Sequence, residues 1–541
     1  MRLVLMAAAV LAAAFLFLLL PLPQRPLTLT PAPTSATAVG AFHVHTDRSD
    51  GSGSPDEVAA AAARAGLNFV VLTDHGDGTR QPDPPQYRSG VLVLDGVELS
   101  TQGGHYIAVG LPQAPYPLRG EARDVVEDVK RLGGFGVVAH PDSPKPELRW
   151  NAWDAPFDAI EWLNADTEWR NQSRWQLARA LARYPFRPVE TLASLLDRPD
   201  RTLERWDALT QTRQVAALAG ADAHARAGWS DDDSNGYRAG WFLRIPSYDA
   251  SFRAFANRVA LERPLGTDAA AAAQTLLSAL RAGRLYSAID ALATPASLEF
   301  TQAGSTLVAR TNAPGGGTIV LRRDGRVVSQ QPVPELTFDS KGEQGTYRVE
   351  VHLANAPGAP PVPWIVSNPI YVRRAGWEVM APVDDPQPTI SLSIQGGPWR
   401  TETDNASSAQ VAQTQPPNGP TVFSYRLGGG GRAGQYAALA IGVGTALTER
   451  AHLAVRAHAP RPMRVSVQAR HPQSGERWQK SIYLDAEIRD IVIPFSAMTP
   501  VGTSGAFDAS RSDTVMFVVD LTNANPGTSG GFTIHDLRIE R

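Results

Sequence analysis

The sequence predicts an α/β domain built on a mainly parallel sheet, followed by two all-β domains. Three observations carry this. Strand-like and helix-like runs alternate from residue 40 to about 290. Beyond 290, period-two runs separated by Gly, Pro and Asn turns take over. A proline-bearing stretch near 375 to 390 then divides this β region in two. At 541 residues, with 43% hydrophobic and 19% charged residues, the chain is too long for one core and globular in composition.

Taken in order, Arg2 precedes an unbroken apolar stretch from Leu3 to Leu20, ended by Pro21, Pro23 and Pro26. Such a stretch is about long enough to cross a bilayer as a helix. No small-residue cleavage pattern follows it closely, the nearest Ala-x-Ala being Ala36 and Ala38. Residues 1–20 are therefore expected to be a membrane anchor or a signal peptide, and 21–39 a Pro-rich stalk. The remainder is expected to be exported, held at the membrane facing the periplasm or exterior, or secreted if the segment is cleaved.

Strands are expected at 41–46, 68–73, 91–99, 104–110, 135–139, 158–164 and 215–221, and helices at 121–132, 169–183, 188–196, 202–211 and 270–284. The first helix has the clearest start, with Ser54 as N-cap, Pro55 at the first helical position and Glu57 completing a capping box. The chemistry sits at the strand ends. His43 and His45 end the first strand, where alternate side chains share a face and can grip one ion. Asp74 and His75 follow the second, Glu98 ends the third, His140 follows the fifth, and Asp222 and His224 follow the last. His105 is the exception, preceding its strand. In a barrel of parallel strands the C-terminal ends meet on one face, so a multinuclear metal site is expected there.

Composition excludes several alternatives. There are no cysteines, hence no disulfides, thiolate metal sites or Cys nucleophile. A net charge of −3 offers no field for nucleic acid, and none is expected as a partner. Mixed imidazole and carboxylate ligands suit Zn, Mn or Fe better than Mg or Ca. Metals a few ångströms apart acidify a bridging water and stabilise entering and leaving oxygens, which points to hydrolysis.

The successive motifs His43-Val44-His45-Thr46, Ser49-Asp50-Gly51, Leu72-Thr73-Asp74-His75, Gly96-Val97-Glu98, His105, Ala139-His140-Pro141 and Asp222-Ala223-His224 resemble the polymerase and histidinol phosphatase (PHP) family of metallohydrolases. The long C-terminal extension and export segment look most like its secreted branch named for a carbaryl hydrolase. The resemblance implies a distorted seven-stranded, TIM-like β/α barrel over residues 40–290 holding two or three divalent metals. It implies that His43, His45, Asp222 and Glu98 bind one metal, that Glu98 bridges to a second completed by His105 and His140, and that His75, His224 and Asp50 bind a third. Asp50 has a competing role in shaping the Ser49–Ser52 turn. Glu98, Asp222 and His224 are the expected catalytic residues. Asp74 is expected to orient the ligands from behind.

Asn164 ends another strand and either lines the pocket or stabilises its loop. Lys145, Arg170 and Arg226 lie just past barrel-end motifs and could clamp a phosphate, or be solvated surface cations. Trp150, Trp153, Trp162 and Trp169 either wall the pocket or pack a loop. The β regions are expected to be an immunoglobulin-like sandwich at 295–373 and a jelly roll at 390–541 resembling galactose-binding modules. A glycan is a candidate partner of the latter. The function expected first is a phosphoesterase that directs a metal-bridging hydroxide at a small extracytoplasmic phosphate ester. The alternatives are a carboxylic, carbamate or amide hydrolase with the same metals, and a non-catalytic metal-binding scaffold.

Overall fold

The computed structural model describes residues 1–31, 36–228, 242–373, 391–393, 398–413, 419–430, 434–447, 452–471, 473–502, 504–508 and 512–540. It divides into two compact units, Met1–Gly76 with Gln81–Pro112 and Val126–Val379, and Asp77–Arg80 with Gln113–Val125 and Met380–Arg541.

The first unit begins with helix α1 (Arg2–Leu19), which by length and composition could cross a membrane. Its ring of strands follows: β1 (Thr37–Val44), β2 (Phe69–Leu72), β3 (Val91–Asp95), β4 (Val97–Thr101), β5 (Gly104–Val109), β6 (Phe135–Val138), β7 (Ala159–Asn164) and β8 (Ala216–Ala223). β1 pairs in parallel with β2, and β2 with β3. β4 carries the chain on past Gly96 and pairs antiparallel with β5, which pairs antiparallel with β6. Parallel pairing then runs from β6 to β7 to β8 and back to β1, closing the circuit.

An apolar core fills this ring, drawn from Phe42, Phe69, Leu94, Ile107, Phe135 and Leu218 and from Leu276 and Leu280 of the helix Ala269–Arg281. Burying each such side chain contributes about 1.5–3 kcal/mol. On the outer face Val44, Val70 and Ala221 pack on helix α2 (Pro55–Arg64) through Val58 and Ala62. α2 starts at the anticipated capping box: Ser54 Oγ accepts from Glu57 N (3.3 Å), and Glu57 Oε2 accepts from Ser54 N (3.0 Å).

One difference from expectation has a local cause. The single helix expected over 169–183 is two helices, α3 (Ala165–Asn171) and α4 (Arg174–Arg183). Ser173 starts the second with its own capping box to Gln176, which favours a fresh N-terminus over continuation. Hydrogen bonds join the strands on either side of residues 290–295. β9 (Ala256–Ala260) pairs with β1 and with β10 (Leu285–Ala288), and β10 pairs with Ile365–Ser367 of the following β region.

That region has two sheets. One contains Thr318–Arg323, Arg326–Pro332, Gly345–His352, Ile365–Ser367 and Ile370–Val372. The other contains Leu298–Ala303, Thr306–Thr311 and Glu335–Asp339. The second unit packs two antiparallel sheets over a shared core that includes Phe423, Leu439, Val465, Phe517 and Phe532.

Candidate metal centre

Histidine and carboxylate side chains from the ends of β1, β2, β4, β5, β6 and β8 converge at one mouth of the ring. His43 Nε2 lies 3.1 Å from His45 Nε2, 3.3 Å from Glu98 Oε2 and 3.4 Å from Asp222 Oδ1. His45 Nε2 lies 3.2 Å from Glu98 Oε2 and 3.5 Å from Asp222 Oδ1. The two oxygens of Glu98 divide the histidines. Oε2 faces His43, His45 and His75 (3.4 Å), whereas Oε1 faces His105 (2.8 Å) and His140 (2.9 Å). His75 sits beside Glu98 because His75–Gly76 adds a short parallel rung to β4.

His105 joins the cluster despite opening its strand. β5 runs antiparallel to β4, so its N-terminal end lies at the same mouth as the C-terminal ends of its neighbours. The exception in the sequence pattern is thus a reversal of direction.

Asp50 stands among three imidazoles, with Oδ1 3.2 Å from His45 Nδ1 and Oδ2 3.1 Å from His224 Nε2 and 3.5 Å from His75 Nε2. Its own Oδ1 also accepts from Ser49 Oγ at 3.3 Å, so it serves the turn as well. Four groups of these residues bring one donor atom each to within 4.8 Å of one another: His45, Asp50, His75 and His224; His43, Glu98 and His140; His43, His45 and Asp222; and His75, Glu98 and His105.

The backbone that aims these side chains is not the plain extended strand the sequence suggests. His43 (φ 66°), Asp222 (φ 43°) and His140 (φ 29°) are in the left-handed region, which non-glycine residues enter at a cost of about 1–3 kcal/mol each. The register of β1 against both β2 and β8 shifts at His43 and Asp222. A bulge re-aims side chains in this way. His43 and His45 therefore share a target through a kink and not through simple alternation.

Glu161 is the participant that sequence reasoning passed over as a site residue. Wholly buried in β7, it accepts from His43 Nδ1 and from His140 N (both 2.7 Å) and from Asn164 Nδ2 (2.7 Å). Because a carboxylate only accepts, His43 Nδ1 is the donor in this contact, and Nε2 is the ring nitrogen left to face the cluster. The available signal was a lone acid within the apolar run Ala159-Ile160-Glu161-Trp162-Leu163. Gly220 makes the room, since a Cβ there would fall 1.9 Å from Glu161 Oε1.

Asp74 stands behind the cluster and holds the β1 turn: its carboxylate accepts from Thr46 N (2.7 Å), Thr46 Oγ1 (2.6 Å) and Ser49 Oγ (2.6 Å). Tyr248 OH, also unforeseen, donates to His45 O at 2.8 Å. Asn164 links the helix after β7 to the cluster. Its Oδ1 caps α3 through Thr167 N, and its Nδ2 also donates to Asp222 Oδ2 (3.2 Å).

Lys145, Arg170 and Arg226 all line the cleft that opens on Asp50, Asp222 and His224. Arg170 pairs with Asp166 and lies over the Trp169 ring, and Arg226 lies over the Phe242 ring. Trp150 and Trp162 are buried packing residues, while Trp169 lines the cleft.

Opposite charges face one another throughout the cluster. Burial favours neutral imidazoles, yet Asp222, Glu161 and Glu98 raise His43 well above the usual histidine range, and Asp222, Asp50 and Glu98 do the same for His45. Burial favours a neutral Glu98, but His43, His75 and His105 hold it well below the usual carboxylate range. His224, His45 and His75 likewise lower Asp50. So many donors facing one another, together with a buried His75 Nδ1 that has no hydrogen-bond partner, fit a set that receives divalent cations.

No protein-family model and no curated protein matches the chain. Among solved structures it is similar to a two-domain protein from Bacteroides vulgatus containing a predicted PHP-like metal-dependent phosphoesterase, at 16% identity over 64% of this chain and 99% of that one, TM-score 0.30. It is also similar to a family 11 carbohydrate-binding module from Clostridium thermocellum, at 16% identity over 28% of this chain and 94% of that one, TM-score 0.23. Similarity at this level leaves the functional argument to the geometry of the site.

Proposed function

We propose that this chain is a metal-dependent hydrolase of phosphate esters, built on a distorted seven-stranded PHP-type barrel in which β3 and β4 count as one bent strand. One observation carries the reading: the two oxygens of Glu98 face two different sets of histidines, as a carboxylate bridging two metals requires. His43, His45, Asp222 and Glu98 would hold one ion, Glu98, His105 and His140 a second, and Asp50, His75 and His224 a third. Bound there, divalent ions would acidify water and offset the charge of phosphoryl oxygens.

The chain's own residues do the rest. Glu161 keeps the His43 proton on Nδ1, and Asp74 fixes the turn that carries Ser49 and Asp50. Asp222, with Asn164 donating to its Oδ2, is the base placed to take a proton from attacking water. His224 Nδ1 donates to Asp222 O, which leaves Nε2, beside Asp50, as the atom it would turn to the third ion. Lys145, Arg170 and Arg226 supply positive charge along the cleft for a phosphate. We read α1 as the element that holds the enzyme at a membrane after export.

The test is to purify the full chain, measure bound Zn, Mn and Fe, and screen phosphomonoesters, phosphodiesters and carboxylic or carbamate esters. Phosphate-ester turnover that is abolished by Glu98→Gln, with the circular dichroism spectrum unchanged, is the expected result. Hydrolysis of carbon esters alone would overturn it.

A further inference from the structure

The cleft over the cluster, about 810 Å³, is lined by both charged and apolar side chains. Asp50, Asp222 and His224 are joined there by Lys145, Arg170 and Arg226. Leu177, Leu181 and Tyr184, spaced to share one face of α4, line it too, with Leu192 and Ile245. Leu181 remains 60% exposed and Trp169, also in the cleft, 40%. A small hydrophilic phosphate ester would meet the charged groups and leave the α4 face in water. Pockets that are apolar with a few convergent polar groups take ligands of matching polarity.

A second observation concerns α4, which supplies Leu177 and Leu181 to the cleft. Elsewhere on its surface it grips the chain just after α1: Arg179 donates to Leu20 O at 3.0 Å, Arg183 donates to Pro21 O, and the Trp175 ring lies 6.4 Å from that of Phe17. The helix walling the cleft is thus the one joined to the apolar segment long enough to enter a bilayer. Trp175 itself remains 58% exposed.

We propose that the substrate of this site is an amphiphile, an anionic phosphate-ester head at the cluster and an apolar chain along the α4 wall, taken from the membrane that α1 enters. The proposal rests on the phosphoesterase reading above. In the reaction the oxygen of water bonds to phosphorus, the bond from phosphorus to the chain's oxygen breaks, and that oxygen takes the proton, giving an alcohol and inorganic phosphate.

Binding of ethyl, butyl, hexyl and octyl phosphonates, which have no ester bond to cleave, tests the head-and-chain fit apart from turnover. With metal-loaded full chain, calorimetry should show affinity rising about threefold to fourfold per methylene over part of the series. Leu181→Asp should shrink the octyl-to-ethyl affinity ratio at least tenfold. Equal affinity across the series would overturn the proposal. Chain-length-dependent binding with no hydrolysis of any phosphate ester would instead sink the phosphoesterase reading and leave the amphiphile site standing. Hexadecyl phosphate in phosphatidylcholine vesicles, compared with dissolved octyl phosphate, separates the two sources. Turnover of the vesicle-held ester supports the membrane route, and turnover of the dissolved ester alone overturns it.

Discussion

At the scale of single residues, the cluster depends on a carboxylate that binds no metal in our reading. Glu161 contacts the His43 ring and the His140 backbone together, so it would couple the two proposed metal sites from behind. Glu161→Gln should weaken metal binding about 10- to 100-fold, the usual cost of losing such a supporting contact, as read by chelator competition. The outward signs of the cluster were legible because imidazoles and carboxylates recur at strand ends. Glu161 was not, because its value lies in partners 118 residues before it and 21 before it in the chain. Nearby, burial pushes the Glu168 carboxyl up to about 8, opposed by the Asp197 N–H and reinforced by Asp197 and Asp142. Between the unfolded value near 4.3 and 8, the unfolded chain has lost this proton while the folded one keeps it. Stability therefore falls as pH rises through that window and levels off above it. Glu168→Gln should remove this slope, stabilising the protein at pH 8 relative to pH 5 by an amount on the order of a few kcal/mol, as measured by urea unfolding at the two values.

At the scale of elements, the register shifts of β1, β7 and β8 aim the cluster, and Gly220 is the tightest constraint among them. Gly220→Ala should drive Glu161 from its place and lower bound metal per chain, measured by elemental analysis, while Ala at the neighbouring outward position 221 is already tolerated. A folded Gly220→Ala protein with full metal content would refute this. Strand existence was readable here from apolar runs, and most strands fall within a few residues of expectation. Their direction was not, since β5 looks like its neighbours in composition yet runs the other way. The break between α3 and α4 was readable in principle from Ser173 and Gln176, but an uninterrupted helical pattern on either side hid it.

At the scale of the first unit, the ring and the β region after it are joined by both sheet and charge. Arg348 of Gly345–His352 binds Asp207 of the helix Asp200–Thr210 bidentately (2.6 and 2.7 Å) and Glu350 at 2.6 Å, and Arg198 pairs with Glu350 in turn. Burial alone would raise Glu350, but His352, Arg198 and Arg348 hold it below the usual carboxylate range. Arg348→Met leaves Asp207 without its bidentate partner and should cost about 3–5 kcal/mol, whereas also replacing Asp207 with Leu, which leaves Glu350 its pairing with Arg198, should recover part of it. Denaturant melts of the single and double variants check both. The sequence offers little warning of this join, because the pairing residues are about 140 apart and polar in otherwise ordinary strands. The closing of the ring has one last consequence, for the order of events during folding. Glu98 and His105 meet across a short hairpin and need almost no chain to find each other. Asp222 reaches His43 only when β8 docks on β1, which joins the last strand of the circuit to its first. Short-range contacts form early and long-range ones late. Metal capture by the complete set can therefore begin only once the circle is shut, and uptake of the ion becomes a clock for the end of folding.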